Sequence, residues 1–456
     1  MDTSTLKIFS CNNIKPPVEG RCGYFVKRKQ RFCKMMPPKG QTYCAEHLFQ
    51  ENNQNDDKRK RILCPLDKKH SIYEDNIDKH LKKCNAAIKI QLPYFEKDIN
   101  IGLKSYSFNQ QEQLNLSEVP VEILVGLIER VKKCFLDISN QPIKESFSLH
   151  PIFNDELNIA SYGTTVKKHL LQQASLIKIL EDMDCLNNGT SIIEFGAGKG
   201  SFSHWVQKTM SNKNDVSFYL VDRQSNRNKF DCYHKGELQG PRFQRLNIDI
   251  QHLNLEKVES LCNSSQNIVG IGKHVCGAAT DLSLNCLFDS SSKILENEEP
   301  PKKRKTNLKS RVHSCLFALC CYHCCTWPTY VGRDFFIRKG FTAYDFNIIS
   351  KMVGWATCGF SRRKMQNESE ALTNDVDRHN FENCVNEHSL EKTYKEEDIK
   401  LKLTSEEQEE IGRICKRMID FGRIEYVNFH GYNAQLVYYI NNSITPENIA
   451  LKITKH

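Results

Sequence analysis

The distribution of apolar residues divides the chain into a mostly polar beginning and a longer part in which short apolar runs alternate with amphipathic segments. Beyond about residue 155, residues 167–180 carry apolar side chains at helical spacing. Four apolar runs of strand length follow, at residues 191–195, 216–221, 267–271 and 315–320. This alternation of helix and strand predicts a parallel sheet that is covered by helices.

Three other segments extend this outline. Residues 119–136 have the spacing of an amphipathic helix, and they lie within a stretch, 89–150, that we interpret as a helical connector. Residues 423–429 and 434–440 are separated by His-Gly-Tyr-Asn. The two runs predict an antiparallel hairpin at the edge of the sheet.

Two polar segments, residues 290–310 and 363–397, interrupt the α/β part of the chain. Both contain few large apolar residues, so we expect disordered surface insertions. The first contains Pro-Pro-Lys-Lys-Arg-Lys at residues 300–305, which is either a nuclear localisation signal or a solvated run of charges. We expect a nuclear and/or cytoplasmic location.

Length and composition limit the class of protein. A chain of 456 residues exceeds one typical core, which predicts two or more domains. No run of about 18 apolar residues occurs, and the first ten residues lack the apolar core of a secretory signal. The 20 cysteines fit buried thiols and metal thiolates in a reducing compartment better than a disulfide scaffold.

Net charge is concentrated at the beginning of the chain. Residues 1–90 hold 19 Lys and Arg against 10 Asp and Glu, whereas the other 366 residues hold 45 of each. Basic runs at residues 27–31 and 58–61 have the composition that neutralises phosphates. We therefore interpret this segment as a nucleic-acid-binding surface. A solvated face without a partner is the alternative.

The basic segment also contains two sets of four residues at zinc-ligand spacing. They are Cys22, Cys33, Cys44 and His47, followed by Cys64, His70, His80 and Cys84. Segments this short cannot bury a core, so the metal would supply the folding energy, and four ligands per ion indicate structural sites. A short helix over residues 76–83 would present the last two ligands on one face. Chance placement in a cysteine-rich chain is the alternative.

A glycine-rich loop follows the first predicted strand of the α/β part, Asp222 follows the second, and a further acid, Asp249, ends the apolar stretch Leu-Asn-Ile-Asp at residues 246–249. Such a loop lets a cofactor approach the backbone, and an acid after the second strand binds the hydroxyls of an adenosine ribose. Dinucleotide sites prefer G-x-G-x-x-G, whereas this loop is Gly-Ala-Gly-Lys-Gly, which favours S-adenosylmethionine. The predicted cofactor-binding residues are Glu194, Gly196, Ala197, Gly198, Asp222 and Asp249.

Several longer motifs accompany the two zinc modules, and the most diagnostic is Gly-Lys-His-Val-Cys-Gly-Ala-Ala-Thr-Asp at residues 272–281. The others lie at residues 168–173, 194–200, 318–323, 354–358, 422–426 and 431–432. With these motifs, nearly the whole chain resembles the eukaryotic tRNA 2′-O-ribose methyltransferases that modify nucleotide 4 of the acceptor stem. The two polar insertions are the main departures, and neither interrupts a motif.

The resemblance implies an α/β fold, with a Rossmann-like class I S-adenosylmethionine-dependent methyltransferase domain preceded by two small zinc-finger modules. The domains would be a CCCH-type finger (1–50), a CHHC-type finger (58–88), the connector (89–150) and the methyltransferase domain (151–456). It further implies two structural Zn²⁺ ions, tRNA as the partner and methyl transfer to the 2′-hydroxyl of nucleotide 4. The oligomeric state stays open.

The 2′-hydroxyl is a poor acid, so a side chain must accept or polarise its proton. Lys273 and His274 follow the third predicted strand of the sheet, and His323 follows the fourth, where ligands meet the carboxyl ends of strands. We predict that Lys273 polarises the 2′-oxygen, and a pKa lowered by burial would let it act as the base. His274 and then His323 are the next candidates. Alternatively, Lys273 contacts phosphate and His274 is structural.

The cysteines around His323 allow a third metal site, but we favour packing thiols. These are Cys320, Cys321, Cys324 and Cys325. Nearby, Trp327 and Tyr330 either stack on a nucleotide or pack in the core.

Two other functions are compatible with parts of the pattern. A zinc-finger RNA-binding protein with an inactive Rossmann-like domain is the first, but the intact loop and acids disfavour it. A protein methyltransferase is the second, and the chain lacks the Asn/Asp-Pro-Pro-Tyr motif that is frequent in that class.

Overall fold

The structure is a computed structural model, and it contains two compact units, Met1–Ile88 and Lys89–His456. No described helix is both long and apolar enough to cross a membrane. The residues that the structure describes are 20–26, 31–38, 40–44, 47, 61–66, 70–82, 84, 92–103, 115–138, 142–224, 229–231, 241–289, 308–357 and 403–456.

The described residues of the small unit form two short antiparallel hairpins, a 3-10 turn and a short α-helix. Strands β1 (Phe25–Val26) and β2 (Arg31–Phe32) form the first hairpin, and β3 (Arg61–Leu63) and β4 (Ser71–Tyr73) form the second. Helix α1 (Ile77–Leu81) follows β4, inside the predicted range of 76–83. Two- and three-residue strands bury almost nothing, so the side chains between them must stabilise the unit.

The large unit is built on one mixed sheet of eight strands, in the order β5-β11-β12-β10-β9-β6-β7-β8. Strands β6 to β10 pair in parallel with one another, whereas β12 runs antiparallel between β10 and β11. The strands are β5 (Lys144–Glu145), β6 (Thr190–Phe195), β7 (Val216–Val221), β8 (Arg242–Leu246), β9 (Asn267–Gly272), β10 (Val312–Ala318), β11 (Tyr432–Tyr438) and β12 (Ile449–Lys455).

Helices cover both faces of this sheet, as the alternating pattern predicts. Among the described residues of this unit, the α-helices are α2 (Val121–Ile138), α3 (Asn154–Leu157), α4 (Thr164–Asp182), α5 (Ser201–Thr209), α6 (Glu259–Cys262), α7 (Ala278–Phe288), α8 (Arg333–Arg338), α9 (Ala343–Met352) and α10 (Ser405–Phe429). Short 3-10 helices of this unit lie at Leu116–Glu118, Pro151–Phe153, Ile250–His252, Leu255–Lys257, Leu308–Arg311, Tyr322–Cys324 and Val353–Thr357, and the small unit has one at Glu74–Asn76.

Alternate residues of the central strands enter two separate cores. On β6, Ile192 packs with α4 and α5, whereas Ile193 packs with α2, α7, α9 and α10 on the opposite face. Both faces of the strand are therefore buried, which explains its continuous apolar composition. The chain order of the strands reverses direction at β6, with β7 on one side and β9 on the other. A crevice for a ligand forms at such a reversal.

The predicted hairpin over residues 423–440 is wrong in its first half. Residues 423–429 are the last turns of α10, and the antiparallel partner of β11 is β12. A capping box of Thr404 and Glu407 starts this helix, and buried residues such as Ile411 and Ile419 hold it against the sheet. Tertiary packing has thus overridden the strand propensity of the final segment.

Two other expectations differ from the structure in position. Strand β10 ends at Ala318, two residues before the predicted end, because Cys321 adopts a left-handed backbone conformation that turns the chain out of the sheet. Helix α2 packs in the same core as α10, so the predicted connector belongs to the large unit. Most of both polar insertions lies outside the described residues.

Candidate functional site

The glycine loop after β6 turns sharply through positive φ angles at Gly196, Gly198 and Gly200, where L side chains are strained. A Cβ on Gly200 would lie 2.7 Å from a methyl group of Leu220, so this glycine is needed for close packing. A Cβ on Gly198 would meet nothing within 4 Å. The middle of the loop is therefore open on the side that a ligand can approach.

Asp222, at the end of β7, fastens this loop. Its Oδ2 accepts a hydrogen bond of 2.7 Å from the backbone N–H of Gly198, and its Oδ1 accepts another of 2.7 Å from Gln224. The N–H of Ala197 also donates to the carbonyl of Val221, at 3.0 Å. The predicted ribose-binding acid thus also orders the glycine loop.

Arg245 and Asp231 support the loop from behind, and sequence reasoning did not identify them. Arg245 Nη1 donates to the carbonyl of Gly198 at 2.8 Å, and its Nη2 pairs with Asp231 Oδ1 at 2.7 Å. Burial opposes ionisation of Asp231, but Arg245 outweighs it and lowers the pKa of the carboxyl group. Arg245 lies in the short edge strand β8, and nothing in the sequence around it indicates that it contacts the glycine loop.

Glu194 and Asp249 each cap the start of a helical segment. Glu194 is buried and accepts hydrogen bonds from the N–H and hydroxyl of Ser203 in α5, and burial raises the pKa of its carboxyl group to about 7. Asp249 accepts a hydrogen bond from Gln251 N–H at 3.0 Å. These contacts fix the orientation of both carboxyl groups.

Lys273, directly after β9, is buried, and its Nζ lies 3.0 Å from Nδ1 of His169 on α4. Burial lowers the pKa of the amine to about 7. Burial and then the nearby Lys273 lower the pKa of His169 to about 4, so its ring is neutral at pH 7. The amide of Gln172 contacts the same ring nitrogen at 3.3 Å. His169 lies in a motif that we noted, but we assigned it no role.

The two histidine candidates are exposed. His274 follows Lys273, and its ring meets that of His169 edge to face at 5.7 Å between centroids. His323 lies in the 3-10 helix that follows β10. Lys273 and His274 therefore share one loop, and His323 lies on the loop of the adjacent parallel strand.

Trp327 and Tyr330 are core residues, so nucleotide stacking by either ring is excluded in this structure. Trp327 packs against Phe346 with ring centroids 5.4 Å apart. The Tyr330 hydroxyl donates to the carbonyl of Ile419 at 2.8 Å and is fully buried. Burial with a satisfied hydroxyl is the ordinary fate of such residues.

Among the described residues, the cysteines around His323 divide into two that lie outside any cluster of thiols and two that belong to one. Of the first two, Cys325 is buried and accepts a hydrogen bond from Arg423, whereas Cys324 is exposed. Cys320 and Cys321 lie with Cys276 in a group of three thiols.

Both predicted zinc-ligand sets converge in space. In the first set, His47 Nδ1 lies 3.3 Å from the sulfur of Cys22 and 3.3 Å from that of Cys44. In the second, Cys64 Sγ lies 3.2 Å from His80 Nε2 and 3.8 Å from Cys84 Sγ. The ligand atoms of each complete set lie within 4.8 Å of one another, which fits tetrahedral coordination of one ion. These sets are Cys22, Cys33, Cys44 and His47, and Cys64, His70, His80 and Cys84.

Three protein families match successive parts of the chain. Residues 20–48 match the CCCH zinc finger in TRM13 protein, and residues 61–85 match the U11-48K-like CHHC zinc finger. Residues 171–454 match the family Methyltransferase TRM13. The matched segments contain both metal-ligand sets, the glycine loop and Lys273.

Curated relatives align along almost the whole length. The chain is 37% identical to the tRNA:m(4)X modification enzyme TRM13 homolog of Mus musculus, over 95% of this chain and 94% of the mouse protein. It is also 37% identical to the Homo sapiens homolog, with the same coverage. The tRNA:m(4)X modification enzyme TRM13 of Saccharomyces cerevisiae is 30% identical, over 97% of each chain. No solved structure matches.

Proposed function

The chain belongs to the Methyltransferase TRM13 family, and from that premise we propose that it is a tRNA (2′-O) methyltransferase. It would transfer a methyl group from S-adenosylmethionine to the 2′-hydroxyl of nucleotide 4 in the acceptor stem. The printed names of the mouse and yeast relatives, tRNA:m(4)X modification enzymes, support the tRNA substrate and the position.

The architecture of the large unit supports a Rossmann-like class I methyltransferase fold. Two parallel strands lie on each side of β6, β9 and β10 on one and β7 and β8 on the other, and the antiparallel strand β12 lies beside β10. The glycine loop and Lys273 follow adjacent strands at the reversal of strand order, where such sheets bind ligands. The finger boundaries at 50, 58 and 88 belong to the same proposal, and the methyltransferase unit would include the predicted connector from residue 89.

The open glycine loop fits S-adenosylmethionine, which supplies an activated methyl group on a sulfonium. Gly196, Ala197 and Gly198 would border the methionine end, because a Cβ on Gly198 would meet no atom within 4 Å. Each oxygen of Asp222 accepts one backbone N–H and keeps a second lone pair, which leaves acceptor capacity for ribose hydroxyls. Asp249 would contact the adenine amine, and Glu194 holds the start of α5, the helix that follows the loop.

Lys273 is the base that the geometry supports best. A pKa of about 7 leaves a large neutral fraction at physiological pH, and a neutral amine accepts a proton from the 2′-hydroxyl. The neutral ring of His169 holds Nζ in place, 3.0 Å away. Lys273 would thus increase the negative charge on the 2′-oxygen as this atom attacks in line. His274 and His323 remain the next candidates.

The small unit supports a role in gripping tRNA. We propose that its two ligand sets each bind one structural Zn²⁺, which would hold the two hairpins and their basic residues in position. Residues 1–90 carry an excess of nine positive charges, and this matches the phosphates of an acceptor stem.

The test is to incubate the full chain with unmodified tRNA and S-adenosylmethionine and to map modified nucleotides by mass spectrometry. We expect one 2′-O-methyl group at nucleotide 4, and a loss of at least about 100-fold in rate for Lys273→Met. Lys273→Met removes a buried charge, so we expect this variant to remain folded. Its affinity for S-adenosylmethionine, measured by calorimetry, should be unchanged and would show that the site is intact.

Lys339→Ala, which removes an exposed lysine, is the matched control and should methylate like the wild type. Binding of tRNA without any methylation would indicate an inactive RNA-binding protein instead. Methylation on a base, or at another nucleotide, would refute the proposed position.

A further inference from the structure

Three thiols meet beside the proposed base without any role in the function described above. Cys276 lies on the loop after β9, and Cys320 and Cys321 lie on the loop after β10, the adjacent parallel strand. Their three sulfur atoms lie within 4.8 Å of one another, and the sulfurs of Cys276 and Cys320 are 3.5 Å apart. Lys273, three residues before Cys276, begins the first loop.

The backbone is specially shaped to bring these thiols together. Cys321 has a φ of 50°, a conformation that only a few per cent of residues other than glycine adopt. In an extended chain, Cys320 and Cys321 would point to opposite sides, and the left-handed turn removes that alternation. Gly277 N–H donates to the carbonyl of Cys320 at 3.3 Å, which joins the two loops.

Gly277 shows how closely the loops approach. It has a φ of 53°, and a Cβ there would lie 2.5 Å from Cys324 Cβ and 2.8 Å from the carbonyl oxygen of Cys321. A strained cysteine and an obligatory glycine thus face each other around the thiol group. Cysteines that serve only as packing residues are placed differently: Cys315 and Cys415 are fully buried in the main core, whereas the three clustered thiols are half-buried.

We propose that Cys276, Cys320 and Cys321 form a third metal site, which binds Zn²⁺ through three thiolates. Ligands about 2.3 Å from a tetrahedral ion lie about 3.8 Å apart. The separation of 3.5 Å between Cys276 and Cys320 is close to this value and to the 3.8 Å between Cys64 and Cys84 in the second finger. Thiolates select soft ions such as Zn²⁺ over Mg²⁺ or Ca²⁺.

The third site differs from the two finger sites in its ligand number. Among the residues that the structure describes, three ligand atoms form this group, against four in each finger. The fourth position is therefore left to water or to an exogenous ligand, as in sites that keep one position open. A bound ion would tie the loop of Lys273 and His274 to the loop of His323, and so would fix the distance between them.

Zinc content per chain tests this site. Full-length protein, purified with thiol reductant and zinc and then desalted, should contain three zinc ions by inductively coupled plasma mass spectrometry. Cys276→Ser and Cys320→Ser should each reduce the content to two. Cys324→Ser removes an exposed thiol on the same loop outside the group and should retain three.

A second variant detects the third ion in the absence of the two finger ions. Replacing Cys22, Cys44, Cys64 and Cys84 together by serine removes both finger sites and should leave one zinc ion per chain. That remaining ion should disappear when Cys276→Ser is added.

Two zinc ions in the wild type, or none in the four-serine variant, would overturn the proposal. A cross-linked peptide that contains both Cys276 and Cys320, found under non-reducing conditions, would then assign these two residues to a disulfide instead. Three ions in Cys276→Ser would place the third ion elsewhere and would equally refute it.

Discussion

At the scale of single residues, Lys273 occupies surroundings that disfavour its own charge. Its amine is buried beside a neutral histidine, and the pKa falls to about 7 from an ordinary value of 10.5. A solvated lysine would be almost fully protonated at neutral pH and could not accept a proton. Burial therefore turns an ordinary cation into a usable base. His169 completes this pair from a position 104 residues earlier in the chain.

The charge state of Lys273 leads to the first prediction. Below pH 7 the amine is protonated, so we expect the methylation rate to rise about tenfold per pH unit and to level off above about pH 7. Lys273→Arg keeps the positive charge at every pH and should lose at least about 100-fold in rate. Single-turnover rates with saturating tRNA between pH 5.5 and 9 provide the measurement.

Lys273→Arg also separates the two roles that sequence left open. If Lys273 only contacts a phosphate, the arginine variant should retain most of its activity, because a guanidinium binds phosphate well. Cofactor affinity of the variant, measured by calorimetry, controls for distortion by the larger side chain.

Asp222 gives the second prediction, because it both fastens the glycine loop and faces the proposed ribose site. Asp222→Ala should weaken S-adenosylmethionine binding by about 2–3 kcal/mol, through the loss of charge-assisted hydrogen bonds. Isothermal titration calorimetry checks this value. Asp334→Ala removes an exposed carboxylate from α8 and should leave affinity unchanged. Equal affinity in both variants would mean that the ribose is held elsewhere.

At the scale of elements, a buried ion pair joins α10 to α7. Arg423 donates to both carboxylate oxygens of Asp281, at 3.1 and 2.8 Å, and both side chains are almost completely buried. Asp420, one turn earlier, also faces Arg423 at 3.4 Å. Two motifs that carry the family resemblance thus meet in one buried network, and this network holds the last turns of α10 in helical form.

Breaking this ion pair is the third prediction. Arg423→Ala should reduce the free energy of unfolding by about 3–5 kcal/mol, because it leaves Asp281 charged and buried without its partner. Arg413→Ala, on the exposed face of the same helix, should change it by less than about 0.5 kcal/mol. Urea denaturation followed by circular dichroism measures both. Similar stabilities for the two variants would show that the network contributes nothing.

At the scale of the whole molecule, charge and chemistry lie in separate compact units. The unit Met1–Ile88 contains both finger sets, and the unit Lys89–His456 contains the glycine loop and Lys273. Nearly all the excess positive charge lies in the first unit, and the second is almost neutral. In the proposed function, binding of the phosphate backbone would thereby be separated from alignment of the reacting ribose.

Deletion of residues 1–88 is the fourth prediction. The shortened protein should bind S-adenosylmethionine as before but bind tRNA at least about tenfold more weakly, because phosphate contacts dominate nucleic-acid affinity. The logarithm of its association constant should also depend less steeply on salt. Filter binding between 50 and 200 mM salt, with calorimetry for the cofactor, tests both. Unchanged tRNA affinity and methylation would assign the fingers to another partner.

Much of this arrangement follows from local patterns in the chain. The apolar run predicts a strand over residues 216–221, and β7 has the same bounds. Helices cover both faces of a parallel sheet, so a strand within it is apolar along its whole length and ends where polar residues begin. The ligand spacings predicted two fingers, and the family matches confirm both finger types and the methyltransferase family. The glycine loop was recognisable because its backbone shape requires glycine.

Contacts between distant residues depended on the folded chain. Arg245 supports the loop from 47 positions away, His169 meets Lys273 across 104, and Arg423 meets Asp281 across 142. None has a local signal, because a side chain's partner is set by which strands and helices become neighbours. The helical end of α10 has the same cause: a strand-like composition yields to a buried ion pair and an apolar face. Local spacing therefore identifies motifs, whereas burial and pairing across the sheet assign their chemistry.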